Sequence, residues 1–584
     1  SPGRVLSIAG EALRNTGYEE VSFTSLSTGD YPHLLPLVYE FNRRFASSRV
    51  ALSLPSLRVA SVNQDVLREI RTVRKTGFTM APEAATERLR CVINKDFSDE
   101  DYERALTALF AEGWLNLKLY FMIGLPTETE EDRAEIPRMV MRALKIARKA
   151  TGKFVTINVT VSPFVPKPHT PFQWFGQIPV GEMRRISSSL RTALNKKQFV
   201  FKGHREEMSM LEAMVARGDQ RISLLIEEAW RGGCRLDGWS DHFDYDAWRS
   251  AMDRTGIDGF HYAQREFGPD DPLPWDFVDV GVQRPFLLGE RERALSVDKT
   301  PDCRENCLAC GLDCGPIEQG TGEVPHAEVV PPGLKLPGDG SQTVRVRVRF
   351  SKTGRLAYLS HLELMVAILR ALRRAGVPLD FSRGFNPKPK VSFGPPLPVG
   401  VAGEREYFDM EVFPPVDLKF LSEVISQTLP EGIGMHDMVF ISSREDSLDR
   451  FISRYAYRVS AADGTGDGHD LTVAAFPFIA LRDGKSTDIS GCVEEVSPLG
   501  LPVAEAAEVM CDGAGRYGFF TGKAWTANEE AASSGTFRLV LRDQEHMKVR
   551  LGEIIQAVFA APMEEMAITR TALYGWKNGW IEPL

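Results

Sequence analysis

Residues 115–164 read LNLKLYFMIGLPTETEEDRAEIPRMVMRALKIARKATGKFVTINVTVSPF, and this stretch decides the fold class. Its first ten residues (115–124) are mostly apolar and predict a buried strand, as do residues 154–164 at its end. Between them, residues 128–149 have the apolar periodicity and the charged face of an amphipathic helix. Two buried strands joined by one helix are typical of parallel strands with a helical crossover. The stretch therefore predicts an α/β fold with a parallel sheet.

The same alternation extends upstream of this unit. Further strands are predicted at 20–26, 50–57 and 77–80, with helices between them. A helix at 4–16 precedes the first of these strands, so one strand–helix unit is without its strand. We therefore expect the chain to be the C-terminal part of a longer protein whose first strand lies upstream.

The composition excludes several classes of protein. The chain has 584 residues, of which 43% are hydrophobic and 26% charged, as expected for a protein of roughly three or four domains. No apolar run reaches the ~18–20 residues of a membrane span and no signal peptide is recognised, so no membrane partner is expected. The cysteine usage indicates a reducing compartment and predicts a cytoplasmic location. The net charge of −9 hides a basic segment, 345–390, with eleven Lys or Arg against two acids.

Five short segments that follow the predicted strands resemble those of the radical S-adenosylmethionine (SAM) superfamily, specifically its cobalamin-associated branch. In chain order they are 25–31 (SLSTGDY), 53–58 (SLPSLR), 81–90 (APEAATERLR) with Asn94-Lys95, 120–129 (YFMIGLPTET) and 161–172 (VSPFVPKPHTPF). The resemblance implies that residues 1–200 form a partial (β/α)6 barrel, in which strands two to six are present. It also implies a helical extension at 201–300 and the cofactors SAM and a 4Fe–4S cluster.

The resemblance further implies where SAM binds, because ligands of parallel α/β folds lie at the carboxyl ends of the strands. Glu83 and Arg88 are candidates for the ribose and the carboxylate of SAM, and Gly124 would let adenine approach the backbone. The alternatives are an ion pair between Glu83 and Arg88 that fixes their loop, and a plain strand-ending turn at Gly124. The implied SAM residues are Ser27, Gly29, Asp30, Glu83, Arg88, Ile123, Gly124 and Ser162.

The superfamily's cluster motif, C-x3-C-x2-C after the first strand, is missing from this part of the chain. Before residue 300 only Cys91 and Cys234 occur, each alone, as small buried hydrophobes do. We therefore expect the ligands of the catalytic 4Fe–4S cluster upstream of residue 1. The branch also implies cobalamin, held by a domain that would lie upstream as well. The chain alone is expected to be inactive.

Four cysteines lie together at 301–320, spaced C-x3-C-x2-C-x3-C. Thiols this close predict a metal site, and both tetrahedral zinc and a second iron–sulfur cluster fit the pattern. The spacing also matches the catalytic motif, but the run follows the barrel and not its first strand. We therefore interpret it as an accessory site, with the ligands Cys303, Cys307, Cys310 and Cys314.

The C-terminal half begins after a Gly/Pro-rich linker at 321–342. Residues 343–445 have the strand–helix–strand–strand–helix–strand order of a ferredoxin-like fold, and 446–584 predict a second, tandem α+β subdomain. The segments FSKTGRLAYLSHLELM, RALRRAG, SRGFNPKPKVSFGPPLPVG and GEREYFDMEV closely resemble a domain of unknown function linked to radical SAM enzymes.

This half also carries a basic surface in the sequence pattern. In 343–350, valines and a phenylalanine alternate with arginines, which predicts a strand with one arginine-lined face. A basic loop that contains Phe385 would add a ring on which a base could stack, so the surface suits RNA. A solvated basic face is the alternative. The predicted RNA-binding residues are Arg345, Arg347, Arg349, Arg370, Arg373, Arg374, Arg383, Lys388 and Lys390.

Two functions remain open from the sequence. The first is a radical SAM enzyme that reductively cleaves SAM to modify an RNA or a ribosome-associated substrate held by the basic C-terminal domain. The second is a non-catalytic RNA-binding adaptor with a degenerate barrel and a zinc site.

Overall fold

The computed structural model divides the chain into two units, Ser1–Leu6 with Glu20–Ala327, and Ser7–Glu19 with Glu328–Leu584. Ser27, Phe385 and nearly all of the predicted linker lie outside the described residues. The structure describes residues 1–25, 28–54, 59, 64–71, 73, 77–303, 306–312, 314, 342–383, 387–462, 471, 473–474, 478–482, 485–499, 509–511, 517–519, 536–542, 549–577 and 579–584.

The first unit alternates helices and strands and then becomes helical. Its strands are β1 (Glu20–Ser22), β2 (Ala51–Ser53), β3 (Phe78–Glu83), β4 (Asn116–Ile123), β5 (Thr156–Pro163) and β6 (Phe199–Gly203). Its helices are α1 (Pro2–Thr16, shared with the second unit), α2 (Leu34–Phe45), α3 (Gln64–Ile70), α4 (Glu87–Val92), α5 (Asp99–Ala111), α6 (Glu130–Thr151), α7 (Val180–Ala193), α8 (Glu206–Arg217), α9 (Ile222–Arg231), α10 (Tyr245–Thr255), α11 (Gly259–Gln264) and α12 (Arg284–Leu295).

All strand pairs described in this unit are parallel, which confirms the predicted α/β class. The strands β3, β4, β5 and β6 form one sheet in that order, and β1 pairs with β2 in a second sheet. In β5, buried and half-buried residues alternate. In β4, the buried residues likewise occupy every second position, namely Leu117, Leu119, Phe121 and Ile123. A side chain on every second residue therefore faces the helices that cover the sheet.

Two features of this unit differ from the sequence prediction. The strands form two sheets in the described residues, where one curved sheet was expected. In addition, β6 lies across the predicted boundary at residue 200 and continues the sheet beyond β5. With only five residues, of which Phe199 alone is buried, it has too little apolar pattern to be recognised from sequence. The helical extension begins with α8 and α9, which are separated at Gly218.

The second unit is built on one large sheet. Its strands are β7 (Val344–Lys352), β8 (Val391–Phe393), β9 (Ala402–Val412), β10 (Ile433–Ile441), β11 (Ile452–Ala461), β12 (Ile479–Arg482), β13 (Lys485–Asp488), β14 (Val493–Pro498), β15 (Val509–Cys511), β16 (Tyr517–Phe519), β17 (Thr536–Arg542), β18 (Met566–Trp576) and β19 (Trp580–Ile581). Its helices are α13 (His361–Arg374), α14 (Leu418–Ser426), α15 (Leu448–Phe451) and α16 (Leu551–Phe559).

The nine-stranded sheet runs β10-β7-β9-β18-β11-β17-β14, with β8 beside β9 and β19 beside β18. Neighbouring strands are antiparallel except at its middle, where β9 and β18 pair in parallel. A capping box opens α13: the hydroxyl of Ser360 accepts from the amide of Glu363, whose carboxylate accepts from the amide of Ser360. This reciprocal pair satisfies two amides at the start of α13.

Candidate active site

The carboxyl ends of β3, β4 and β5 meet along one edge of the parallel sheet of the first unit. Glu83 ends β3, Gly124 follows β4, and Pro163 ends β5. This is the edge at which parallel α/β proteins bind ligands, because loops and free backbone groups converge there. Most of the residues predicted to contact SAM lie on these strand ends or in the loops after them.

Glu83 stands in an unusual backbone conformation at this edge. Its φ is +64°, a left-handed conformation that a glutamate adopts only at a cost of about 1–3 kcal/mol. Its side chain is 25% exposed, and one carboxylate oxygen lies 3.7 Å from Nζ of Lys95. Burial raises the pKa of the Glu83 carboxyl above its ordinary value, and the Lys95 ammonium opposes that rise. The strand end therefore presents a constrained carboxylate that is paired with the ammonium group of Lys95.

Arg88 is held away from Glu83. Its guanidinium forms an ion pair with Asp132 and donates to the carbonyl oxygen of Thr127 at 2.9 Å. Burial acts to raise the pKa of Asp132, but hydrogen bonds from Thr86, Thr129 and Arg88 outweigh it and hold that pKa below its ordinary value. The predicted alternative, an ion pair between Glu83 and Arg88, is therefore wrong, because each of them has its own partner.

Gly124 needs to be glycine for two reasons. Its φ is +77°, and a Cβ at this position would lie 2.7 Å from Cδ1 of Ile178. Its amide donates to Oε2 of Glu128 at 2.7 Å, and the same carboxylate accepts from Arg133 at 2.9 Å. A side chain at position 124 would therefore meet Ile178, and Glu128 fixes the turn at Gly124.

The other predicted SAM residues are less constrained. Gly29 and Asp30 form a short 3-10 turn with Thr28 after β1, and both are half-buried. Ser162 lies near the end of β5 and is half-buried, whereas Ile123 is fully buried. The sequence prediction missed Lys95, Thr127, Glu128 and Asp132 as contributors to this edge. The charged pairs would have been found only from the positions of the loops in space.

The four cysteines are described, and none of them forms a disulfide. Cys310 is half-buried and the other three are exposed. Among the described residues, no group of three or more His, Cys, Asp or Glu side chains lies close enough together to hold a metal ion. The metal site therefore stays a prediction.

The arginines of β7 do not form an open cationic face. Arg347 is 3% exposed, and its guanidinium pairs with Asp409 of β9 at 2.7 Å. Arg345 pairs with the same carboxylate, and Arg349 pairs with Asp437 and Glu582. The expectation of an exposed arginine row is wrong because β7 is an inner strand whose neighbours supply these carboxylates.

The arginines of α13 contact the end of α1 and the residues that follow it, which belong to the same unit. Arg370 and Arg374 donate to the carbonyl oxygen of Thr16 at 2.7 and 3.2 Å. The guanidinium of Arg370 also stacks on Tyr18, and Arg373 pairs with Glu19 at 3.3 Å. The remaining predicted RNA-binding residues Arg383, Lys388 and Lys390 are exposed, and Lys390 pairs with Asp380 and Glu411.

Comparison with known families identifies the class of the first unit. Residues 1–140 match the radical SAM superfamily, so the chain carries a radical SAM domain there. The parallel sheets of this unit are consistent with the α/β fold of such a domain. No helix among the described residues is long and apolar enough to span a membrane.

Two further similarities describe the rest of the chain. Residues 345–485 match DUF2344, a family described as an uncharacterized protein conserved in bacteria. The chain is also 30% identical over 220 residues to the uncharacterized protein MJ0966 of Methanocaldococcus jannaschii. That alignment covers 38% of this chain and 46% of the archaeal protein, so the chain spans about half the length of that relative.

Proposed function

We propose that the first unit binds SAM along the carboxyl ends of β3, β4 and β5, as part of a radical SAM enzyme. The observation that carries this proposal is Glu83, a constrained and partly buried carboxylate at the ligand-binding edge of a radical SAM domain. A strained residue that the fold retains at such an edge is typical of a functional position. The radical SAM domain implies SAM and a 4Fe–4S cluster as cofactors.

The residues present fit SAM in two respects. The carboxylate of Glu83 can accept hydrogen bonds from both ribose hydroxyls, since an ionised carboxylate has about four acceptor positions. Lys95, 32% exposed and 3.7 Å from Glu83, can bind the carboxylate of SAM. This assigns to Lys95 the role that the sequence suggested for Arg88, because Asp132 already neutralises Arg88.

The residues of the first 300 positions do not fit the catalytic cluster. Such a cluster needs three thiolates on one loop, whereas Cys91 lies half-buried in α4 and Cys234 is buried in the core of the helical extension. We therefore derive no chemical step through the cluster. When SAM is cleaved reductively, it supplies a 5′-deoxyadenosyl radical for hydrogen abstraction, and this chain's residues would bind and orient the nucleoside and exclude water.

The finer assignments stay proposals. Two strand orders support two ferredoxin-like halves in the second unit. The first is β10-β7-β9, with β8 and the Leu379 bridge on the side of β9 away from β7. The second is β18-β11-β17-β14. An RNA or ribosome-associated substrate is proposed from the exposed basic residues Arg383, Lys388 and Lys390. Cobalamin is proposed only from the branch that the sequence resembles. The non-catalytic RNA-binding adaptor, proposed from the same basic residues, is the second candidate.

Binding of S-adenosylhomocysteine tests the site, because this analogue needs no cluster. Calorimetric titration should give a dissociation constant that rises about tenfold or more in Glu83→Ala and in Lys95→Ala, as expected when a charged hydrogen bond is lost. Asn158→Ala is the control, because Asn158 pairs with Asn116 near the opposite, amino ends of β4 and β5. Equal affinity in all variants would overturn the site.

Anaerobic reconstitution of the full-length protein with iron and sulfide then separates the enzyme from the adaptor. The enzyme should form 5′-deoxyadenosine from SAM in the presence of a strong reductant. Binding of the analogue without any 5′-deoxyadenosine would favour the adaptor.

A further inference from the structure

The start of the segment that carries the four cysteines contacts the loop that contains Lys95, the partner of Glu83. The amide of Thr300 donates to Oδ1 of Asn94 at 3.2 Å, and Nζ of Lys299 lies 2.9 Å from a carboxylate oxygen of Asp96. Asn94 and Asp96 stand on either side of Lys95 in the chain. Lys299 and Thr300, a few positions before Cys303, are thus bound to the neighbours of Lys95 across more than 200 residues of chain.

Helix α12, which leads into the segment, covers the same edge of the sheet. Ala294 near its end is 6% exposed and belongs to one apolar cluster with Ala84, Leu89 and Leu125. Ala84 follows β3 and Leu125 follows Gly124 after β4. The hydroxyl of Thr300 donates back to Glu290 of α12 at 2.7 Å, which fixes the exit from the helix.

A second anchor lies inside the four-cysteine segment. The carbonyl oxygen of Cys310 accepts from the amide of Gln283, the residue before α12, at 2.8 Å. The next residue, Gly311, has a φ of +103°, and a Cβ there would lie 2.6 Å from the carbonyl oxygen of Gly281. This close approach requires glycine, so the backbone at Cys310 packs against the turn at Gly281. The segment is therefore held at both Thr300 and Cys310.

The four thiols of this short segment form no disulfide, and three of them are exposed. Free cysteines are among the most buried residue types, so this exposure is unusual. Four thiolates within twelve residues match the spacing of tetrahedral metal centres, in which the metal itself completes the local fold. The anchored, half-buried Cys310 provides a fixed point toward which the metal would draw the other three.

We propose that Cys303, Cys307, Cys310 and Cys314 bind a thiolate-coordinated metal centre that is fixed beside the Glu83–Lys95 edge. Its position next to a SAM site rests on the proposed function, whereas the binding of the metal does not. Zinc and an iron–sulfur cluster share this thiolate chemistry. Neither identity requires a redox step in the proposal.

Metal analysis of the full chain tests the centre. Protein isolated anaerobically should contain about one zinc ion per chain, or iron and acid-labile sulfide with absorption near 400 nm, as thiolate centres do. The four-serine variant should lose that metal, whereas Cys91→Ser should retain it. Cys310→Ser alone tests the anchor without removing every thiol, and should lose at least half of the metal. Equal metal content in the wild type and the four-serine variant would overturn the proposal.

Release of the metal to a chelator tests its position. Replacing the two side chains that form the first anchor, Asn94→Ala with Lys299→Ala, should speed release of the metal about tenfold at unchanged metal content, as loss of supporting contacts does. Asn158→Ala should leave the rate unchanged. An unchanged rate in the anchor variant would refute the position.

S-adenosylhomocysteine distinguishes this proposal from the proposed function. If both hold, the analogue slows release in the wild type and has no such effect in Glu83→Ala. A metal centre that responds to the anchor variant, in a protein that does not bind the analogue, would leave the metal centre established and refute the SAM site. Binding of the analogue by a protein that contains no metal would leave the SAM site established and refute the metal centre.

Discussion

Glu406 on β9 and Arg570 on β18 form a buried ion pair at the junction of the two halves of the nine-stranded sheet. Nε of Arg570 donates to the carboxylate at 2.9 Å, a second guanidinium nitrogen donates to its other oxygen, and the side chains are 6% and 2% exposed. Arg570 also donates to the carbonyl oxygen of Pro395 at 2.7 Å. Only two residue pairs join β9 to β18, so this ion pair reinforces a short junction.

We predict that breaking this pair from one side is costly. Arg570→Met should lower the free energy of unfolding of the second unit by about 3–5 kcal/mol, because it leaves the Glu406 carboxylate buried without its partner. The double variant with Glu406→Leu should be more stable than Arg570→Met, since it removes the unpaired charge. Urea denaturation followed by circular dichroism measures both.

Arg450→Ala is the matched control in the same unit. Arg450 and Asp446 form an exposed pair, with side chains 82% and 56% exposed, and its loss should cost less than about 0.5 kcal/mol. A double variant that is less stable than the single one would contradict the account of the junction.

A second prediction concerns Arg217 of α8, which is fully buried and donates hydrogen bonds to four backbone carbonyl oxygens. These belong to Gln173, Phe175, Tyr262 and Arg265, from two separate segments of the first unit. Burial lowers the pKa of Arg217 to about 10, and the charge of Arg265 adds to the effect. Arg217→Lys should lose several of these bonds, because an ammonium has three donors and no planar fork.

Hydrogen exchange should therefore accelerate in residues 173–177 and 262–267 of Arg217→Lys. The unfolding free energy should fall by about 3 kcal/mol, in the range found when a buried network is broken. Arg231→Lys, at an exposed position of α9, should leave exchange in both segments unchanged. Faster exchange confined to one of them would show that Arg217 does not join them.

The third prediction is a pH dependence at Glu83. Because burial raises the folded-state pKa of Glu83, its contribution to stability is complete below the unfolded-state value of about 4.3 and is lost as the pH rises through the folded-state pKa. Glu83→Gln should therefore raise the urea midpoint at pH 7.5 and have a smaller effect at pH 4. Glu103→Gln, at an exposed position of α5, should show no such difference. An equal shift at both pH values would mean that ionisation of Glu83 is not the cause.

The fourth prediction concerns RNA binding by the exposed basic residues Arg383, Lys388 and Lys390. If these residues contact phosphates, affinity for a single-stranded RNA should fall with salt, and Lys388→Ala should reduce the slope of log K against log salt by about 0.7. Arg231→Ala, in the first unit, should leave the slope unchanged. Fluorescence anisotropy at several salt concentrations measures it, and salt-insensitive binding would remove RNA from the proposal.

Much of the first unit could be predicted because its signals are local. The apolar runs at 115–124 and 154–164 and the intervening amphipathic helix became β4, β5 and α6, paired in parallel as expected. The start of α13 is a signal of the same local kind, because Ser360 and Glu363, which form its cap, are three residues apart. The family resemblance of residues 1–140 and of the C-terminal domain likewise rests on short contiguous motifs.

The candidate site was only partly predicted, since its charged residues find partners far away in the chain. Arg88 was expected near the ligand, but Asp132, 44 residues on, binds it. Arg347 was expected on an open face, but Asp409, 62 residues on, neutralises it in the interior. No periodicity within a strand or helix contains this information.

The sequence alone determined the order of strands and helices, the chemistry available at the strand ends and the four-thiol spacing, because these depend on neighbouring residues. The tertiary structure alone decided which charges remain available to a ligand, and that Thr300 lies against Asn94 beside Glu83. The physical reason is that helix periodicity and capping act over a few residues, whereas burial and ion pairing are set by packing between segments that lie far apart in the chain.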